Sequence, residues 1–290
     1  MDRTAHEHGA APVRFADAST RRIEDVGAEL VYRELGSDGP HGVPLVGLTH
    51  LGANLDSWDP ELVDPLAAER RVILLGYRGV GGSAGTPRDR FEDMAADAIA
   101  AIRALGLSRV DLFGLSMGGM VAQEILEQDP DLVGRVVLAG TGPQGGTGLS
   151  TMTRVFVRGV ARGLVTFTPP TSVLFFTHSR NGKRAARRYQ ARLKRRTVGR
   201  DRPVSPVALR AQLRAVKRWG HQRPSGAPVF SGPVLVVHGD SDRLVPLANT
   251  DDLQSRFPSA QIRVFPDSGH GVVSQNRGGV ADLIGRFLAR

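Results

Sequence analysis

Ser116, in the run Gly114-Leu115-Ser116-Met117-Gly118, joins a nucleophilic hydroxyl to two glycines spaced to let a strand and a helix pass closely. An apolar stretch, Val110 to Phe113, leads into it, and a helical pattern with Val121, Ile125 and Leu126 on one face leads out. A hydroxyl at such a turn stands at a helix N-terminus, where partial positive charge favours a developing oxyanion. The pentapeptide alone is not diagnostic, because glycine-rich turns open many helices of parallel sheets. Serine attack also needs a general base, and the base needs an orienting partner. Of eight histidines, His6, His8 and His41 fall in an N-terminal arm or a turn, and His178 and His221 in a helical stretch. His50 and His238 flank strand ends and read as loop-shaping residues. His270, between Gly269 and Gly271 after the last strand, lies in a loop able to carry it over the edge where Ser116 emerges. Asp240 and Asp242, both after the strand that ends at His238, are its candidate partners. Asp267 is too near His270 along the chain to reach the ring.

Positioning these residues takes a sheet. Short apolar runs alternate with amphipathic helical stretches, the pattern of a parallel sheet covered on both faces. Strands are predicted at Ala28 to Glu34, Val43 to Leu48, Arg71 to Leu75, Val110 to Phe113, Val133 to Ala139, Pro233 to His238 and Gln261 to Phe265. Helices are predicted at Pro60 to Glu69, with Pro65 a point of division, and at Arg90 to Leu105, ended by Gly106. Others are expected at Ser116 to Gln128, Leu247 to Phe257 and Val280 to Arg290. Between Gly142 and Ala227 no strand pattern is visible; helical patterns divided by prolines take its place. One core, residues 1–146 and 228–290, interrupted by a helical insertion at 147–227, accounts for this better than two separate domains.

The chain has no cysteine, which excludes disulfides, thiolate catalysis and Cys-ligated metals. No apolar run approaches a membrane-spanning length, and the N-terminus lacks a signal pattern, so a cytoplasmic protein is expected. Spacings for a metal site or a phosphate loop are absent, and no cofactor is expected. Gly79-Val80-Gly81-Gly82-Ser83 reads as a turn. The net charge of +9 is local: His178 to Arg223 holds sixteen Lys/Arg against one acid, Asp201, and the remaining chain is mildly acidic. With little aromatic interleaving, that segment reads as a solvated basic face, with an anionic substrate or surface as the alternative and no specific nucleic acid as partner.

Five motifs in order give a firmer reading. They are Thr49-His50-Leu51-Gly52 with Trp58 downstream, Arg78-Gly79-Val80-Gly81-Gly82-Ser83, the Ser116 run, His238-Gly239-Asp240-Ser241-Asp242 with Val245-Pro246, and Gly269-His270-Gly271. From Val43 to the C-terminus the chain resembles the α/β-hydrolase fold family, in particular its single-domain, cap-bearing serine hydrolases. The resemblance implies a mostly parallel sheet flanked by helices, with a helical cap inserted after about the sixth strand. It implies Ser116 as nucleophile, His270 as base and Asp242, rather than Asp240, as acid. It implies an oxyanion hole of two backbone N–H groups, from Met117 and from Leu51, or from Gly52 if His50 is taken as the family histidine. Gly76 replaces the aspartate that usually stands two before the arginine, which puts the anchoring of that loop in question. The activity implied is acyl transfer to water on a small-molecule substrate: an ester, a lactone, or a diketone cleaved at a carbon–carbon bond. Perhydrolysis by the same residues is an alternative, and a non-catalytic binding protein a third. Met152, Phe156, Phe167, Phe175, Phe176 and Trp219 are the expected apolar lining under the cap, facing Met117.

Overall fold

The computed structural model of the protein describes residues 13–290 except 25, 39–41, 224, 225, 227 and 228. His6, His8, His41 and the 227–228 boundary therefore lie outside the described residues. Eight strands form one sheet: β1 (Thr20–Ile23), β2 (Leu30–Leu35), β3 (Leu45–Leu48), β4 (Val72–Leu75), β5 (Val110–Leu115), β6 (Val133–Ala139), β7 (Val234–Gly239) and β8 (Gln261–Phe265). Their spatial order is β1-β2-β4-β3-β5-β6-β7-β8. β1, β2 and β4 are joined antiparallel; every other pairing is parallel. Strands β3 to β7 are buried on both faces, which is why they read as unbroken apolar runs. The edge strand β1, Thr-Arg-Arg-Ile, is mostly exposed and carries no such signal, so nothing in its residues announces a strand.

Alternate strand residues feed two cores. Val46, Leu48, Leu112 and Leu138 pack with α2 (Phe91–Ala104) and α3 (Met117–Gln128) on one face. Leu45, Phe113, Val137 and Leu235 pack with α1 (Pro60–Glu69), α9 (Val272–Gln275) and α10 (Arg277–Leu288) on the other. α1 runs through Pro65 undivided; the N–H that proline lacks would have met a carbonyl of the first turn. Past Ala104, α2 ends at Gly106, whose φ of +75° glycine tolerates freely.

Between β6 and β7 lie α4 (Met152–Val165), α5 (Pro170–Phe175), α6 (Arg180–Leu193) and α7 (Pro206–His221), with no strand among the described residues of that stretch. The short α8 (Asn249–Arg256) then connects β7 to β8. The basic stretch is not simply a solvated face. Arg192 is 3% exposed and grips Asp59, the N-cap of α1, through two bonds of 2.7 and 2.6 Å. Arg196 is also buried and donates to the carbonyls of Phe15, Ala16, Ala18 and Gly199. Asp56 receives Arg33 at 2.6 Å, and the backbone N–H of Asp201 at 2.9 Å. Asp201 in turn accepts from the N–H groups of Leu55 and Gly82. The expected basic surface is therefore partly an internal seam between insertion and core. The remaining cations of α6, among them Lys183, Arg184, Arg187 and Arg188, are exposed or nearly so.

Candidate active site

The loops that matter leave the C-terminal ends of β3, β5, β7 and β8, where parallel sheets present their crevices. Ser116 turns from β5 into α3 at φ 55°, ψ −115°, a strained setting for a residue with a side chain, costing about 1–3 kcal/mol. Its glycines explain how the turn fits. A Cβ on Gly114 would strike the backbone of Gly119, and one on Gly118 would strike the Leu48 carbonyl at the end of β3. Only glycine lets α3 lie against the two strands so closely.

The structure brings Ser116, His270 and Asp242 into one hydrogen-bonded chain. His270 Nε2 lies 2.8 Å from Ser116 Oγ, and His270 Nδ1 lies 2.7 Å from Asp242 Oδ2. The second carboxylate oxygen, Oδ1, accepts the N–H groups of Leu244 and Val245 at 2.8 and 2.9 Å, so the acid is fixed at both ends. All three side chains are buried. Asp240 acts elsewhere, accepting from Ser241 Oγ and from the N–H groups of Asp267 and Ser268, and so holds the loop that carries His270. Asp267 faces the insertion, accepting from Thr177, Ser179 and Asn181. The Ser179 and Thr177 hydroxyls above all keep its carboxyl below the ordinary range.

The turn after β3 is built as a platform. Ala53 N–H donates to the His50 carbonyl at 3.3 Å, and Gly52 takes φ +70°. The Leu51–Gly52 peptide is held at both ends. Its carbonyl accepts His50 Nδ1–H at 3.0 Å, and its N–H donates to Gln212 Oε1 at 2.8 Å. Gly52 N–H is thus engaged, whereas among the described residues the N–H groups of Leu51 and Met117 donate to no protein acceptor. Gln212 comes from α7 of the insertion and is 1% exposed. Sequence reasoning missed it, since nothing in the helix pattern distinguishes it from a core-facing polar residue.

Two histidines assigned to loop shaping stand close to His270. His50 packs edge-on against Phe175, whose ring also meets His270. Burial pushes the His50 imidazole down to about 4, so the ring is neutral, and its Nε2 has no partner. His238 is buried, its Nε2–H donating to the Val245 carbonyl, and burial likewise lowers its basicity. Adjacency to the turn was the available signal for His50. The loop at Gly76 is anchored without the aspartate: Tyr77 OH donates to the Thr49 carbonyl, and Arg78 forms a bidentate pair with Asp97.

Of the expected apolar lining, Met152, Phe175, Phe176 and Trp219 share one buried cluster with Met117, Phe156 packs against it, and Phe167 needs correction. Phe175 alone of the six is seen against His270, while Phe176 packs on Tyr189 and Trp219 on Phe91. Phe167 is 98% exposed and lines nothing. A small cavity beside His270 is walled by His50, Trp58, Leu62, Leu115, Phe175 and Tyr189.

With that geometry in view, comparison with known proteins is decisive about kinship. The sequence matches the alpha/beta hydrolase fold over residues 41–276. The chain belongs to that family. A solved alpha/beta hydrolase fold protein from Chitinophaga pinensis is 32% identical, with a TM-score of 0.88 over 95% of this chain and 98% of that one. A poly(3-hydroxyalkanoate) depolymerase of Ectopseudomonas oleovorans is 28% identical across 86% of this chain and 85% of its own length. A 2-hydroxymuconate semialdehyde hydrolase of Pseudomonas sp. (strain CF600) is 29% identical across 91% and 94%. These alpha/beta hydrolase relatives are enzymes, and this chain is one of their kind. Among the described residues no helix is long and apolar enough to cross a membrane, and no cluster suited to a metal ion is found.

Proposed function

We propose that the protein is a serine hydrolase acting on a small ester or lactone through an acyl-enzyme. The observation that carries this is the continuous Asp242–His270–Ser116 hydrogen-bonded chain at 2.7 and 2.8 Å. In that arrangement Asp242 selects the His270 tautomer with its proton on Nδ1, which leaves Nε2 free to accept the Ser116 proton. The serine oxygen then attacks the substrate carbonyl carbon. The carbonyl oxygen gathers charge beside the N–H groups of Met117 and Leu51, each worth about 10²–10³ in rate. Collapse expels the alcohol, which takes its proton from His270. Water, deprotonated by the same imidazole, attacks the ester carbon of the acyl-serine and frees the acid and Ser116.

The insertion serves as a cap in this reading. Its α5 seats Phe175 over His270, and the Phe175 carbonyl accepts the N–H of Gly271 at 2.7 Å. Ser116 is only 1% exposed, so substrate reaches it when this contact yields. The walls beside His270 are mostly apolar, which favours an uncharged acyl group over an anionic one. Among the described residues that wall this cavity none is a lysine or an arginine, so an anionic substrate finds no counter-charge from either there.

Hydrolysis of p-nitrophenyl esters of increasing acyl length tests this directly. Turnover that is highest for short chains and lost in Ser116→Ala is expected. Turnover that survives Ser116→Ala would remove Ser116 from the chemistry.

A further inference from the structure

The end of α4 places apolar side chains in water at a cost. Leu164, Val165 and Phe167 are 70%, 80% and 98% exposed, and Val157 is exposed on the same helix. The helix closes with Thr168 N–H donating to the Gly163 carbonyl and Phe167 N–H to the Leu164 carbonyl. That closure requires a left-handed residue at Phe167, which takes φ 50°. Glycine usually fills this position, and a residue with a Cβ costs about 1–2 kcal/mol more. A strained, fully exposed phenylalanine gains nothing from water or from its own fold.

The same outward face is cationic. Arg154, Val157, Arg158, Ala161, Arg162 and Val165 fall on one side of α4 and are exposed, while the opposite side packs toward α5 and α7. No acid occurs between Leu132 and Arg200, and among the described residues Arg154, Arg158 and Arg162 pair with no carboxylate. A shallow groove behind the tip is lined by Arg158, Arg162 and Arg243 between Val155, Val173 and Leu174. Along the helix, Arg162 and Arg158 stand roughly 5 and 10 Å behind Val165 at the usual rise per residue. An interfacial helix buries its apolar part about 5–10 Å into the headgroup boundary, with its cations at the phosphates.

We propose that the C-terminal end of α4 docks on an anionic lipid surface. Leu164, Val165 and Phe167 enter the acyl boundary, and Arg158 and Arg162 meet the headgroup phosphates. A convex apolar prong fits a deformable lipid layer, and the arginines behind it, paired with no carboxylate among the described residues, select an anionic one. The proposal stands independently of the chemistry assigned to Ser116.

Cosedimentation of the full chain with vesicles of phosphatidylcholine plus phosphatidylglycerol, against phosphatidylcholine alone, is the test. Binding is expected to favour the anionic vesicles and to weaken with salt. The double variant Leu164→Ser/Phe167→Ser should lose about tenfold or more of that binding, with its melting temperature and short-ester turnover kept. Arg158→Gln/Arg162→Gln should reduce the preference for anionic vesicles while retaining residual binding. No vesicle binding by the wild type, or equal binding by the Ser variant, would overturn the proposal. So would ultracentrifugation showing that the wild type self-associates and the Ser variant does not, since a second copy would then own this face.

Discussion

The sheet edge that carries Ser116 and the insertion above it are held together by different forces. At the edge, position comes from backbone: glycines that permit contact between α3 and β3, and carbonyl and N–H groups that pin Asp242 and the turn at Leu51. In the insertion, position comes from charge: Arg192 on Asp59, and Arg33 with the 196–201 segment on Asp56. A backbone-built site changes little with pH or small shifts in side-chain packing. A charge-built seam is strong only while every partner remains, because removing one leaves the other buried and unpaired. Gln212 and Phe175 are where the two regimes meet, reaching from the insertion to the turn at Leu51 and Gly52 and to His270.

Perturbing each region should expose this difference. At the edge, His270→Ala should lower kcat by about 10³–10⁴ or more with the fold intact; stopped-flow or steady-state kinetics with circular dichroism would show it. At the seam, Arg192→Met should leave Asp59 buried without its partner and destabilise by about 3–5 kcal/mol. Urea unfolding at constant m-value checks that figure. A loss below about 1 kcal/mol, the range of an exposed pair, would mean that the seam does not hold the insertion.

The junction should respond differently from both. Gln212→Met keeps the volume but removes the acceptor for Gly52 N–H, so kcat should fall about tenfold at unchanged KM and melting temperature. An unchanged kcat would show that the turn holds Leu51 without help from α7. The smallest effect concerns Glu124 on α3, whose carboxyl is pushed up to about 7 by burial and by Glu92 nearby. A carboxyl raised in the folded state is tolerated while protonated, so its full stability is present below its unfolded value near 4.5 and is lost as pH climbs through about 7. Glu124→Gln should therefore add about 1–2 kcal/mol at pH 8 and almost nothing at pH 4, below the unfolded value; thermal melts at both values check it.

The same contrast explains what could be read in the sequence. The strands from β3 to β7 and the Ser116 turn are legible because they obey local rules, apolar runs and glycine spacing. His270 and Asp242 follow from their loops and from the family likeness. The turn after β3 reads equally as offering Leu51 or Gly52, and the bond that distinguishes their N–H groups, Gly52 N–H to Gln212, spans 160 positions. Likewise the pairing of Arg192 with Asp59 spans 133 positions, so a charge count could only record an excess of arginine. Phe167 misled for a related reason: in a helical insertion, composition does not say which aromatic faces inward. β1 was invisible because an exposed edge strand needs no apolar pattern.

The central claim is that Ser116 is a nucleophile activated by His270. Intact and peptide mass spectrometry after reaction with a fluorophosphonate probe tests it most directly. One adduct, located on Ser116, absent in Ser116→Ala and formed much more slowly in His270→Ala, is the predicted result. No adduct on the folded protein, or an adduct formed as fast without His270, would contradict it.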